Sequence, residues 1–397
     1  MASDPTPTPE PEPPSEPPSE PLSEPISEPP PEPEQDPPLF TLEGSRYHLV
    51  RRLETLGGAQ RLIARRESSR GIEGFVVIKK PAPRAPLEQR RRLAHEAWVA
   101  RRLEHPGLPR VLHAEFAVTH PLLITEYVEG VRLERVLTWA ARRKVHLPAP
   151  CAAYIAAEVA DALAHAHGVK DEGGYPLRLV YRDVSPANIT LSRRAEVKLA
   201  ELGSVLTCGP YRVRTPAHTL RGSVGYAAPE VLRLERPDAR ADIFSLGLVL
   251  VEMLTGVHLL DPPDQRKPAP VRGMLRKLLG KIWTEQPAWE DPVQLAAQAV
   301  RLTPEHVAKV TRRVPEPVRA VAQRALRVTP AERYATVAEM RDELRAYLIS
   351  TLPGYGPEQL LVEMSRLRVR PRGERNPADP SQDSLPAGFL RVLSRRS

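Results

Sequence analysis

Asp183 and Asn188 stand five residues apart in Tyr181-Arg182-Asp183-Val184-Ser185-Pro186-Ala187-Asn188, a short loop between apolar segments. A carboxylate and a carboxamide at this spacing suit phosphoryl transfer. The carboxylate can orient a hydroxyl nucleophile, and the carboxamide can hold a magnesium ion on phosphates. Other residues able to do chemistry are spread along the chain. Lys79 closes the branched run Val76-Val77-Ile78-Lys79, and Glu96 comes next in His95-Glu96-Ala97. Glu201 ends a short apolar segment in Ala200-Glu201-Leu202-Gly203, and Ser223 lies in Gly222-Ser223-Val224-Gly225-Tyr226. The two cysteines, Cys151 and Cys208, are far apart and show no metal-ligand spacing. They read as buried small hydrophobes in a reducing compartment, and nothing points to zinc.

Periodicity outlines the scaffold around these residues. Tyr47–Val50 and Arg61–Arg65 read as strands around a turn at Gly57-Gly58, and Phe75–Lys79 as a third strand rich in branched side chains. Leu87–Leu103 has Leu93, Ala97, Ala100 and Leu103 at helical steps. Val111–Phe116 and Leu122–Tyr127 complete a five-strand, one-helix small lobe, and Glu126–Gly130 would be the connector. Beyond it the pattern turns helical. Ala152–His167 ends at Gly168, expected as its C-cap. Short strands at Leu177–Val180, Ile189–Leu191 and Val197–Ala200 bracket the Asp183 loop. Asp242–Leu254 reads as a buried helix. Further helices are expected near Val271–Leu279, Pro292–Val300, Pro304–Thr311, Glu316–Leu326 and Val337–Leu348.

Composition bounds the rest. Residues 1–38 hold 16 prolines and 10 acidic residues, with Ser-Glu-Pro recurring from Ser15, Ser19, Ser23 and Ser27. Such a segment cannot bury enough apolar surface to offset its chain entropy, so it reads as a disordered, extended tail, a spacer or a docking arm. The chain carries +8 and this tail −10, which leaves +18 on the remainder. The excess is mostly Arg scattered over helix-like segments with few interleaved aromatics, which fits a solvated surface and no specific nucleic-acid partner. The longest apolar run, Ile243 to Leu260, contains Glu252 and Gly247 and reads as a buried helix, not a membrane span. Without an N-terminal apolar signal region, the expected location is cytoplasmic. Residues 351–397, Arg-rich and weakly periodic, read as a basic, mostly disordered tail.

The 181–188 stretch resembles the H-R-D-x-x-x-x-N catalytic loop of eukaryotic-type protein kinases, in the variant D-V-S-P-x-N that bacterial Ser/Thr kinases often carry. The neighbouring motifs run in the family order from about Lys79 to Arg333. Val76–Lys79 resembles V-A-I-K, Ala200–Gly203 resembles A-D-F-G, and Gly222–Glu230 resembles G-T-x-x-Y-x-A-P-E. The resemblance implies an α+β, two-lobed protein kinase fold over residues 39–350, with a small lobe over about 39–126 and a larger helical lobe over about 127–350. It implies ATP and Mg2+ as cofactors and a protein substrate or signalling partner. Lys79 would bind the α- and β-phosphates and pair with Glu96, and Asp183 would be the base. Ser223 would hydrogen-bond Asp183, and Asn188 and Glu201 would hold the metal. Val77, Glu126, Gly57 and Gly58 would border the nucleotide. Asp242 would hold the catalytic loop, and Arg333 would pair with Glu230. Arg182 would anchor a phosphate on the activation segment, where Thr207, Thr215 and Thr219 lie near Arg212, Arg214 and Arg221.

The chain departs from the pattern where it would handle nucleotide. Glu54, Leu56 and Ala59 occupy the three expected glycine positions of the phosphate-covering loop. Glu201 carries one methylene more than Asp, Ser185 stands where many Ser/Thr kinases have Lys, and Val77 is larger than the usual Ala. Two readings stay open: a Ser/Thr kinase of reduced activity, and a pseudokinase acting as a scaffold or allosteric partner.

Overall fold

The computed structural model describes residues 37–53, 59–208, 222–260, 297–299 and 302–368. The N-terminal tail, Gly57 and Gly58, Thr215 and Thr219, the helix expected at Val271–Leu279 and most of that at Pro292–Val300 lie outside them. The fold is the two-lobed α+β protein kinase fold. Its small lobe is a six-stranded antiparallel sheet of β1 (Phe40–Leu42), β2 (Ser45–Arg52), β3 (Ala59–Ser68), β4 (Gly71–Pro81), β5 (Val111–Glu115) and β6 (Leu122–Glu126), in the order β1-β2-β3-β4-β6-β5. Strand alternation divides its side chains. Tyr47, Leu62, Ala64, Val76, Ile78 and Ile124 pack together on one face. Ala59, Arg61, Ile63, Val77 and Lys79 line the cleft on the other. Helix α1 (Leu87–Ala100) covers part of the cleft-side face through Leu93, Ala97 and Ala100 against Leu123.

The large lobe is built around α3 (Ala149–His167), which buries one broad face, and α5 (Arg240–Thr255), which is almost wholly buried. A small sheet combines β7 (Gly130–Arg132), which precedes α3, with β8 (Ile189–Ser192) and β9 (Val197–Leu199), which follow it, and the short α4 (Pro229–Leu232) leads into α5. Helices α6 (Pro304–Val310), α7 (Glu316–Ala325) and α8 (Val337–Thr351) complete the lobe, with α8 packed on α3 and α7 on α5. Among the described residues no helix is long and apolar enough to cross a membrane. The apolar run from Ile243 lies largely in α5, inside the protein core.

Several expectations change. An unforeseen helix, α2 (Leu133–Arg142), buries Leu133, Val136 and Ala140, a stripe too short to stand out in the sequence. Leu177–Val180 is not a strand of either sheet; only Val180 bridges, exchanging 2.9 Å backbone hydrogen bonds with Leu206. Gly168 caps α3 in the right-handed region at φ −82°, so its role needs no positive φ. Cys151 is buried, its thiol pushed up to about 12 by burial, but Cys208 is exposed.

The largest correction concerns the region after 350. Residues Pro357–Arg368 form α9, which packs on α2 and α3. Leu360, Met364 and Leu367 recur at helical steps and bury one face of it against the large-lobe core. The Tyr355 ring sits 5.8 Å from that of Tyr154, and Arg143 Nη1 donates to Arg366 O at 2.6 Å. The many Arg and Pro residues farther along masked this one turn-rich stripe in the sequence. Leu360→Ala is expected to cost about 2–4 kcal/mol of stability, read as a lower urea midpoint. An unchanged midpoint would show that α9 contributes nothing to the core.

Candidate active site

The Asp183 loop is held from below by Asp242, whose side chain is 0% exposed. Its carboxylate accepts from Tyr181 N and Arg182 N, both at 2.8 Å, and lies 2.8 Å from His167 Nε2. These bonds fix Arg182 at φ +66°, and that turn aims Asp183 at the cleft. Arg182 Nε donates to Ser204 O at 2.7 Å, so its charged group already has a partner at the start of the activation segment. Tyr181, the residue in place of the motif His, is buried and its hydroxyl donates to Ala200 O.

Asp183 Oδ1 accepts two bonds from one residue, Ser223 N at 2.7 Å and Ser223 Oγ at 2.8 Å. The approach requires Gly222. Its φ is +84°, and a Cβ there would stand 2.1 Å from Arg182 O. Ser223 Oγ also lies 3.0 Å from Ser185 Oγ, so Ser185 is a buried polar partner of this pair. Asn188 Nδ2 donates to Asp183 O at 2.9 Å, which leaves its carboxamide oxygen as the acceptor end. Burial raises the Asp183 carboxyl, the Ser223 and Asn188 bonds oppose the rise, and Glu201 adds to it.

On the small-lobe side, Lys79 Nζ donates to Glu96 Oε1 at 2.6 Å and to Glu201 Oε2 at 2.9 Å. The other Glu201 oxygen accepts from Arg61 Nη2. Sequence reasoning missed Arg61. The signal for it was its place two residues beyond Ala59, where alternation puts it on the same face as Ile63, Val77 and Lys79. Burial alone would lower Lys79, but Glu201 and Glu96 outweigh it and the amine is raised. Burial alone would raise Glu201, but Lys79 and Arg61 outweigh it and the carboxyl falls to about 2. Glu126 lines the cleft and takes a 2.6 Å bond from the buried Lys198 Nζ.

The site residues Lys79, Glu96, Asp183, Asn188, Glu201, Val77 and Glu126 all line one cleft of about 420 Å³ between the lobes. Ser223 stands outside this lining and reaches the cleft only through its two bonds to Asp183 Oδ1. Thr207, expected as a candidate phosphosite, is buried with its Oγ1 2.8 Å from His95 Nε2. Farther down, Arg333 meets Glu230 in a buried two-pronged pair at 2.7 and 2.8 Å.

The protein kinase domain model matches residues 64–343. The chain belongs to the protein kinase family. It is 30% identical over 315 residues to the tyrosine-protein kinase MasK of Myxococcus xanthus, covering 78% of this chain and 44% of that protein. It is 32% identical over 323 residues to the serine/threonine-protein kinase PknB of Mycolicibacterium smegmatis, covering 76% and 43%. With PknB of Mycobacterium leprae the figures are 29% over 300 residues, 74% and 41%. The chain thus spans less than half the length of these curated relatives.

The charge row makes a pH prediction for this kinase domain. The depressed Glu201 value stabilises the fold above the ordinary 4.5, and that contribution is lost as the pH falls toward 2. Lys79 is shifted upward, so its share is present below the ordinary 10.5 and is lost only as the pH rises past its folded value. The Glu201 part is worth about 3 kcal/mol. Glu201→Gln should lower stability at neutral pH by about 3–5 kcal/mol and flatten the loss between pH 4.5 and 2 in a urea-denaturation series. An acid limb unchanged in the variant would mean another carboxylate carries it.

Proposed function

We propose that this chain is a Ser/Thr protein kinase, transferring the γ-phosphoryl group of ATP to a serine or threonine hydroxyl of a protein. The hydroxyl oxygen bonds to phosphorus as the bond to the leaving ADP oxygen breaks, and the hydroxyl proton departs toward Asp183. The observation that carries this reading is the doubly held Asp183, fixed by Ser223 N and Oγ in a cleft that also contains the closed Lys79–Glu96 pair. A carboxyl raised by burial is a better proton acceptor than a fully solvated one. Ser223 belongs to the segment leading to Ala228-Pro229-Glu230, which supports a protein substrate and a Ser/Thr hydroxyl.

The cleft suits ATP. Its volume falls in the range of small-molecule sites, and Leu53, Ile63, Val77, Leu123 and Val128 give it apolar walls beside the Lys79 amine. Gly57 and Gly58 would cover the phosphates, and Glu126 would border the nucleotide at the connector. Asn188 and Glu201 are the residues that would hold Mg2+, with Glu201 first giving up part of its hold on Arg61 and Lys79. The metal would neutralise charge on the phosphates. A cytoplasmic location and a docking role for the Pro/Glu-rich arm belong to this reading.

A second reading is favoured by one observation. Both Glu201 oxygens are already engaged by cations, which favours a weakly catalytic or non-catalytic domain acting through its shape. Phosphate incorporation into a Ser/Thr-containing protein substrate, with ATP and Mg2+, separates the two. Wild type should exceed Asp183→Asn by at least about 100-fold. Wild-type incorporation no greater than that of the variant would leave the second reading standing.

A further inference from the structure

Arg61 in β3 is registered directly opposite Lys79 in β4, on the cleft face of the sheet. Two cations side by side on neighbouring strands repel. Glu201 resolves the conflict by giving one oxygen to each. Its extra methylene therefore has a use here: it lets one carboxylate span both groups. With Glu96 the row is Arg61, Glu201, Lys79, Glu96, two positive and two negative charges in contact.

The roof nevertheless retains donor capacity. Among the described residues, the Nε atoms of Arg61 and of Arg51 are buried without a hydrogen-bond partner. Both side chains line the cleft. A buried donor left without a partner is costly, and an incoming anion would relieve it. A guanidinium presents several N–H groups in a fixed fork that matches phosphate oxygens, where an ammonium offers only a point charge. Arg132 lines the same cleft and helps hold the Glu201 carboxyl down. The cleft thus has cations arranged for a polyanion. A divalent ion, by contrast, would have to compete with Arg61 and Lys79 for Glu201.

We propose that Arg61 is a phosphate-binding residue which, with Lys79, seats the nucleotide's phosphates and makes nucleotide binding independent of a divalent cation. The inference rests on the nucleotide-binding reading of the cleft. It also explains why a chain with an altered glycine loop keeps Lys79 and Glu96 paired: the phosphates are gripped by side chains of the strands and depend less on loop backbone.

The test is binding of ATP to the full chain, by displacement of a trinitrophenyl-ATP probe, in EDTA and in excess Mg2+. Adenosine, which has no phosphate, serves as the second ligand and as the check on folding. Wild-type ATP affinity should agree within about threefold between the two media. Arg61→Val should weaken ATP binding in EDTA by at least about tenfold, about 1.4 kcal/mol, recover part of it in Mg2+, and leave adenosine binding unchanged. Arg61→Lys should fall between the two, and it carries the test if the valine variant fails to bind adenosine. Arg61 variants that bind ATP in EDTA as well as wild type, or more tightly, would overturn the proposal. So would wild-type binding that requires Mg2+, and that result would leave the nucleotide-binding reading intact. Wild type that binds neither ATP nor adenosine would overturn both.

Discussion

A single buried carboxylate sets the geometry on which the cleft depends. Asp242 has no exposed surface, and it accepts from two consecutive backbone N–H groups, those of Tyr181 and Arg182. Arg182 is left-handed at φ +66°, a conformation that costs a non-glycine residue about 1–3 kcal/mol unless the surroundings over-determine it. Asp242 supplies that over-determination from inside α5, the most deeply buried helix of the large lobe. From the fixed turn, Asp183 projects to Ser223, and Asn188 reaches back to the Asp183 carbonyl. The loop is irregular, but it is tied to a rigid element.

The upper half of the cleft is organised by charge. Arg61 and Lys79 come from the sheet, Glu96 from α1, and Glu201 from the segment after β9. These charges tie together three parts of the chain that also meet in an apolar cluster of Leu93, Ala97, Leu123 and Leu202. Such a row resists loss of any one member, because each removal strands a partner in a poorly solvated place. It also explains why Glu201 can stand where a shorter acid is usual without leaving a gap.

Much of this was legible in the sequence, for identifiable reasons. Asp183, Asn188, Lys79, Glu96 and Glu230 sit in short motifs whose spacing is set by local backbone geometry, and such spacing survives without knowledge of the fold. Strand and helix periodicity located β2 through β6 and α1, α3, α5, α7 and α8 to within a few residues. What escaped was non-local or faint. Arg61 reads as an ordinary strand residue, and its meaning appears only when the register sets it against Lys79. The stripe of α2 spans three residues, and that of α9 is surrounded by Arg and Pro. Leu177–Val180 is mostly apolar, but Arg178 turns left-handed at φ +47° and only Val180 bridges, and no pattern within four residues can report a missing neighbour. Cys208 misled because a small apolar side chain carries no information about which side of a loop it faces.

The last helix changes where this folding unit stops. The family match ends at residue 343, yet α9 carries Leu360 and Leu367 into the same core that Cys151 and Tyr154 help form. The backbone of Arg366 is fastened to Arg143 at the end of α2. The cooperative unit is therefore longer than the recognisable motif set by about two dozen residues. A fragment trimmed to the motifs would present a raw apolar seam along α2 and α3, prone to self-association. The chain that continues past 368 departs from a point pinned to the large lobe.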